Sequence, residues 1–396
     1  MGAGCAGLSL AVRLLESVPG ARMHLLEPRA KYTRDRTWCF FNVVEHPFSE
    51  AIANRWSRWT VADRHGAVTR TARDLEYQHI PADAFYDLAQ RRLRAGDVNI
   101  ELGQTVTSVE DRGDYVEVKT ERGDRYRAGV VFDSRPEFRQ PPSARPDDIR
   151  LLQHFRGWFL RTDEPSFDPS CAILMDFRVH QSKGIHFIYV LPFSEREALV
   201  EDTFFSDTPL AREDYEASIL RYLKSKSIGS YQITDTEEGV IPMTTQTFEQ
   251  RPSPRVYRIG LAGGMARPST GYAFLGIQRY SKRLAEAFAL QELPGAPPPQ
   301  RVRTALMDRV FLSYVHSHPE EAPALYTRLF ERVPPEIAAR FLTEASSIGD
   351  DLRIMAALPT PKLAPEAART IRRLLDPKKR SVPLDRCDAT GTDSRS

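Results

Sequence analysis

Two stretches carry side chains whose types and spacing could do chemistry. The first is MGAGCAGLSL, where Gly2, Gly4 and Gly7 fill the glycine places of G-x-G-x-x-G ahead of the helical apolar pattern LSLAVRLLE. In such a turn the first glycine permits the tight bend, the second lets backbone approach a pyrophosphate, and the third lets the helix pack closely on its sheet. The phosphates then meet the unpaired N–H groups and the positive dipole end of the helix. Glycines at a helix start can also be purely conformational, but Glu27 closes the apolar run ARMHLLEP twenty residues after Gly7, where folds of this kind place the acid that binds a ribose hydroxyl. The second stretch is ALVEDTFF. As a strand it points Leu199, Glu201, Thr203 and Phe205 to one face and Val200, Asp202 and Phe204 to the other, so only one of its two carboxyls can face a given pocket.

The elements that must position these groups follow from periodicity. No strand precedes Gly2 to feed the glycine turn, so the expectation is a start codon assigned too late and a weakly held cofactor. RWTVADRHGAVTRTA alternates like a hairpin around His65 and Gly66, PADAFYDLAQRRLRAG has proline-to-glycine helix boundaries, and VNIELGQTVTSVE, DYVEVKTE and AGVVFDSR read as strands. The proline-rich PEFRQPPSARPDD predicts a domain crossing. From Leu151 to about Val240 the texture is β, with LLQHFRGWFLRT, CAILMDFRV, GIHFIYVLPF and ALVEDTFF as strands and LAREDYEASILRYLKS as one interrupting helix. VYRIGLAGGMARPSTGYAFLGIQRYSKRLAEAFAL then returns to strand, glycine loop and helix, as if the chain re-entered its first domain. Beyond Gln300 the pattern is helical, broken at Pro319, Pro334 and Pro335, and the tail is polar and expected to be disordered. The division is therefore 1–150, a dinucleotide-binding first part; 151–250, a β-rich substrate region; 251–295, the returning segment; 296–375, C-terminal helices; and 376–396, the tail.

Composition narrows the partners. With 396 residues, 55 basic and 53 acidic, the net charge is +2, which gives no footprint for nucleic acid. Four dispersed cysteines form no metal-ligand spacing and fit a reducing cytosol; His316 and His318 read as surface residues, and no metal is expected. No run of about 18 apolar residues is present.

Several stretches in order, GAGCAGLSLA, RDRTWCFF, LLQHFRGW, MDFRVHQ, FIYVLPF, ALVEDTFF, EEGVIPM and GLAGGMARPSTGYAF, resemble the flavin-dependent lycopene cyclases of bacteria, with further likeness in MDRVFLSYV and RFLTEAS. The resemblance implies an α/β fold: a Rossmann-like FAD-binding domain of the glutathione-reductase type with an inserted β-rich substrate domain and C-terminal helices. It implies that Gly2, Gly4, Gly7 and Glu27 bind the adenosine half of FAD, and that Gly263, Gly264, Thr270 and Gly271 contact the flavin side; Arg36 in RDRTWCFF could contact the flavin or line its pocket, or equally be a surface ion-pair residue. It also implies reduced FAD without net redox, NAD(P)H as its reductant, lycopene and then γ-carotene as substrates, and a cytoplasmic chain docked peripherally on the inner face of the cytoplasmic membrane.

Glu201 matches the acid that the family links to catalysis. In an apolar channel, desolvation would keep that carboxyl protonated as a general acid. The aromatic side chains Trp158, Phe159, Phe187 and Tyr189 could turn π faces toward a cation, although aromatics in strands more often form plain core. A flavin monooxygenase or reductase of the same fold is the alternative. Flavin hydroxylases commonly carry Asp after the first glycine of the second loop, where this chain has Leu261 after Gly260. A non-catalytic binding protein is a further alternative.

Overall fold

A computed structural model describes residues 1–135, 148–358 and 360–375. The expected domain crossing at 136–147 and the disordered tail at 376–396 lie outside the described residues. In the first segment the strands are β1 (Met23–Glu27), β2 (Thr37–Phe41), β3 (Asn54–Trp56), β4 (Arg58–Asp63), β5 (Gly66–Thr71), β6 (Tyr77–Pro81), β7 (Val98–Leu102), β8 (Val106–Asp111), β9 (Val116–Thr120), β10 (Arg125–Ala128) and β11 (Val131–Asp133). Its helices are α1 (Cys5–Ser17) and α2 (Ala82–Leu93). Next come β12 (Arg150–Thr162), β13 (Cys171–Asp176), β14 (Ile185–Pro192), β15 (Glu197–Ser206), β16 (Tyr231–Thr244) and β17 (Val256–Arg258), with α3 (Arg212–Ser225) inserted. The chain continues with α4 (Phe274–Leu290), α5 (Val302–Ser317), α6 (Ala322–Arg332), α7 (Pro335–Leu342), α8 (Ile348–Ala357) and α9 (Thr360–Leu375).

α1 is apolar on two stripes and is buried on both. Leu8, Ala11 and Val12 pack with Phe85, Leu88 and Ala89 of α2, while Leu10 and Leu14 pack with Ile277, Tyr280 and Leu284 of α4. β1 pairs in parallel with β7, and β11 in parallel with β17. Met1 and Gly2 bridge the two pairs: the Met1 amino group donates to the Phe132 carbonyl (2.6 Å), the Ser134 N–H donates to the Met1 carbonyl (3.0 Å), and the Gly2 N–H donates to the Leu26 carbonyl (2.8 Å). Met1 and Gly2 thus lie between β1 and β11.

The large sheet has seven strands in the order β16-β12-β15-β14-β13-β4-β5, antiparallel except where β13 meets β4. Both of its faces are covered, which is why β14 and β15 are buried almost end to end rather than on alternate residues. α3 covers one face through Ile219, Tyr222 and Leu223, packed on Trp158, Val190 and Val200. The C-terminal helices cover the other, setting Leu325, Tyr326, Phe330 and Leu342 in one core with Phe187, Leu199 and Phe205. The hairpin expected around His65 is β4–β5, with Asp63 opposite Gly66. Its sheet differs from the sequence division: β4 and β5, from the first segment, extend the substrate sheet through β13. These two strands and β16 bring the expected four to seven; β16 is polar and exposed over its first half, which hid it from an apolar pattern.

The loop between β17 and α4 is fixed by a buried ion pair. Arg267 donates through Nη2 to Asp308 Oδ1 (2.7 Å) and through Nε to both carboxylate oxygens (2.9 and 3.1 Å), while Ser269 and Gln300 donate to the same carboxylate. Arg267 and Asp308 are 5% and 0% exposed. Removing one partner of such a pair strands the other charge in the interior. Asp308→Ala should therefore destabilise the protein by about 3–5 kcal/mol, read as a lowered denaturant midpoint; an unchanged midpoint would show that the pair does not hold the loop to α5.

Candidate functional site

One continuous cavity, with about 2380 Å³ of empty space including its mouth, runs from the glycine turn to the acidic strand β15. Gly2, Gly4, Glu27, Arg36, Thr270, Gly271 and Glu201 all line it, so residues far apart in sequence meet in one space. Gly7, Gly263 and Gly264 do not line it. A Cβ on Gly7 would lie 2.0 Å from the Gly2 carbonyl oxygen, and one on Gly263 would lie 2.6 Å from the Arg258 carbonyl oxygen. Those glycines close turns rather than face a ligand, and Gly264, at φ +73°, ends the short 3-10 turn of Gly260–Gly263. Gly260, at φ +64°, lines the cavity in their place.

The polar end is built by α1 and β1. No side chain caps α1 at Gly4, which leaves its first-turn N–H groups directed at the cavity. Glu27, buried at the end of β1, accepts from the Ala3 N–H (2.6 Å) and from Arg29 Nε (2.8 Å). Arg29 also donates to Asp35 (2.8 Å) and to the Tyr86 hydroxyl (2.7 Å), and its Nη2 would lie 3.5 Å from a Cβ on Gly4. This guanidinium over the glycine turn was missed in the sequence, although it stands only two residues after the acid. Across the cavity α4 also begins without a side-chain cap, at Ala273, just after Gly271 at φ +69°. The buried Gln153 Oε1 beside Gly271 has no hydrogen-bond partner. Two uncapped helix N-termini, an arginine over the first and an orphan acceptor near the second fit a dinucleotide with a polar ring system. The donor set therefore fits FAD.

The acidic end depends on Gly157. In β12 this residue stands in register with Glu201 of β15 on one side and Glu237 of β16 on the other. A Cβ there would lie 2.7 Å from Leu199 Cδ1, 3.3 Å from Glu201 Cβ and 3.4 Å from Glu237 Cγ. Both glutamates line the cavity and are buried, at 7% and 5% exposure. Burial, and then the neighbouring Glu237, hold the Glu201 carboxyl well above the ordinary carboxylate range. Burial raises Glu237 as well, against the lowering influence of Thr37 and Arg36. Thr203 donates to Glu201 Oε1 (2.7 Å). Opposite Glu201 stands Tyr189, whose hydroxyl is 3.0 Å from that of Tyr77, which in turn is 3.4 Å from that of Tyr272 in the second loop. Glu237 was not picked out in the sequence, although it opens the stretch EEGVIPM; no apolar alternation marked it as a strand residue.

The alternation expected for β15 is what the fold contains. Asp202 faces α3, away from the cavity, where it accepts from Ser218 (2.8 Å) and meets His186 Nε2 at 2.5 Å. Of the expected aromatic wall, Phe187 and Tyr189 line the cavity. Trp158 does not, because it points to the α3 face and packs on Val190 and Val200; Phe159 lies on the cavity side of the sheet but stacks on Phe193 rather than lining the space. The remaining apolar wall comes from Phe155, Leu174 and Phe205 and, unanticipated, from Tyr326 and Phe330 of α6 and Leu342 of α7. Among the described residues no group of His, Cys, Asp and Glu could hold a metal ion.

Solved structures with this architecture include a geranylgeranyl bacteriochlorophyll reductase-like protein from Thermoplasma acidophilum, at TM-score 0.62 and 13% identity over 93% of this chain and 97% of that one. Another is Klebsiella pneumoniae HpxO, solved with FAD and uric acid, at TM-score 0.59 and 14% identity over 91% and 96%. At such identities the likeness concerns fold, and it is the α/β flavoprotein fold expected from the sequence. Among sequences, lycopene beta-cyclase of a Paracoccus species is 27% identical over 379 residues, 90% of this chain and 92% of that protein. The profile described as "Lycopene cyclase protein" matches residues 1–370, a span that takes in both ends of the cavity and the helices that roof it, and the chain belongs to the lycopene cyclase family.

Proposed function

We propose that this protein is a lycopene β-cyclase, an intramolecular lyase that closes the ψ ends of lycopene into β rings, giving γ-carotene and then β-carotene. The observation that carries the reading is a buried Glu201, its carboxyl held above the ordinary carboxylate range by its surroundings, at an apolar surface continuous with the glycine cradle. Glu201 donates its proton to C2 of a ψ end, leaving positive charge on C1. The C5–C6 double bond closes on C1, and loss of the C6 proton sets the ring double bond. Phe155, Phe187, Phe205, Tyr326 and Phe330 keep water from the cation and can present π faces to it. Arg29 and the first-turn amides of α1 hold the pyrophosphate of FAD, and Glu27 holds its ribose. Bound FAD in its reduced, anionic form, with NAD(P)H as reductant, supplies negative charge near the cation without net electron transfer.

Substrate dissolved in a bilayer calls for peripheral docking from the cytoplasmic side. Among the described residues no helix is long and apolar enough to cross a membrane. α8 instead exposes Ile348 (66%), Leu352 (58%) and Met355 (47%) on one helical face. Leu352→Glu with Met355→Glu should lower co-sedimentation with phosphatidylglycerol vesicles while flavin content stays unchanged; undiminished sedimentation would place docking elsewhere.

Glu201→Gln keeps size and hydrogen bonding but has no acidic proton, so conversion of lycopene should fall at least ~100-fold with flavin absorbance retained. Asp202→Asn alters bonds on the α3 side only, costing about 1–3 kcal/mol of stability and sparing turnover in the folded fraction. Near-normal turnover in Glu201→Gln, or oxygen or NAD(P)H consumed in step with product, would overturn the cyclase reading in favour of a flavin monooxygenase or reductase.

The raised acids also fix a sign for pH. Above the ordinary glutamate value of 4.5, and up to their higher folded-state values, Glu201 and Glu237 hold more protons in the native chain than in the unfolded one, so their contribution to stability falls as pH rises through that window. His46, His79 and His154, held by burial below the ordinary imidazole value, contribute with the opposite sign below about pH 6.5. The glutamate contribution is therefore read as a difference: urea midpoints of Glu201→Gln minus those of the unaltered protein should rise with pH from 5 upward, and a difference that does not change with pH would mean that Glu201 is ionised in the folded state.

A further inference from the structure

Glu237 has no part in the mechanism so far, yet it stands at the reacting end of the cavity. Two successive acids occur at Glu201–Asp202 and again at Glu237–Glu238, and the sheet sorts both pairs the same way. Asp202 and Glu238 turn away from the cavity, Glu238 to an ion pair with Arg156 (2.8 Å). Glu201 and Glu237 turn into it. Their strands are separated only by β12, so their backbones stand about 9–10 Å apart, and the missing side chain of Gly157 leaves the space above β12 open for the two carboxyls. Among the described residues Glu237 Oε1 is buried without a hydrogen-bond partner. A buried acceptor of this kind calls for a partner, and facing the cavity it is open to a ligand or a proton.

The chemistry needs such a second group. A proton must enter at C2 and another must leave from C6, and both carbons are bonded to C1, so the two transfers occur one bond angle apart. We propose that Glu237 is the second catalytic carboxyl, taking the proton that leaves C6 and returning it to Glu201. This rests on the cyclase reading above.

The balance is complete without a further reactant. The Glu201 O–H bond breaks as C2–H forms, and the C5=C6 electron pair forms C1–C6, moving the positive charge to C5. The C6–H bond then breaks, its electrons restoring C5=C6, and its proton goes to the Glu237 carboxylate. Transfer of that proton from Glu237 to Glu201 across Gly157 resets the pair, and the net change is an isomerisation.

Position gives a signature that a structural role would lack. A cation at C5 with no base at C6 loses a proton from C4 instead, which moves the ring double bond. Glu237→Gln should lower turnover at least ~100-fold, with flavin content retained, and part of its residual product should carry the C4–C5 double bond. Glu237→Leu replaces a buried acid by an apolar side chain of similar size, a change that does not threaten folding; it should be as slow. Glu237→Asp should recover at least tenfold over the Gln variant. Wild-type turnover and pure C5–C6 rings in the Gln or Leu variant would overturn the proposal, as would an Asp variant no faster than Gln. Glu201→Gln assayed in parallel separates the two readings: if it is inactive while Glu237→Gln is normal, the cyclase reading stands and the role of Glu237 falls.

Discussion

Burial of Glu201 on both faces of its sheet is the constraint that the other elements serve. That burial holds the carboxyl well above the ordinary carboxylate range, which is the condition the proposed protonation of an alkene would require. α3 seals the side where Asp202 lies, and the C-terminal helices seal the side of the cavity. Neither cover alone would suffice, because a sheet with one wet face leaves every second residue hydrated. The same constraint explains Gly157: a side chain there would force Leu199 and the two acids apart and open the most desolvated part of the site.

The cavity is polar at one end and apolar at the other, and the two ends are built from different kinds of element. Helix N-termini and Arg29 make the polar end, where backbone N–H groups are fixed donors that cost no side-chain ordering. Strand faces and α6–α7 make the apolar end, where area rather than direction matters. The join is the loop from Gly260 to Ala273, clamped to α5 by Arg267 and Asp308 and tied to the strand side by Tyr272, Tyr77 and Tyr189. A shift of that loop would be felt at both ends at once.

Much of this was legible in the sequence. The G-x-G-x-x-G spacing with Glu27, the apolar strands β12 to β15 and the opposite facing of Glu201 and Asp202 follow from local periodicity, which a single stretch of chain determines. What was hidden depends on partners distant in the chain. Trp158 and Phe159 are adjacent in an aromatic run, and only the packing of α3 and of Phe193 decides that neither lines the cavity. Gly263 and Gly264 match the motif as well as Gly260 does, but the path of the backbone gives the cavity to Gly260. Glu237 was invisible because its strand is an edge strand with an exposed first half.

Edge position is also what allows Glu237 to be useful. A central strand would have a neighbour on each side competing for the space above β12, whereas among the described residues β16 pairs with β12 alone. Its outward acid, Glu238, takes Arg156 and Arg212 as partners at the rim, so cationic charge is drawn away from the pair of inward acids. Arg36 lines the cavity and is among the leading influences that lower Glu237, whereas burial and the neighbouring Glu237 lead in raising Glu201. Two chemically identical residues are thereby made unequal by their surroundings: Glu201, held up by burial and by its neighbouring acid, is the better holder of a proton, and Glu237, on which the arginine acts, is the better acceptor.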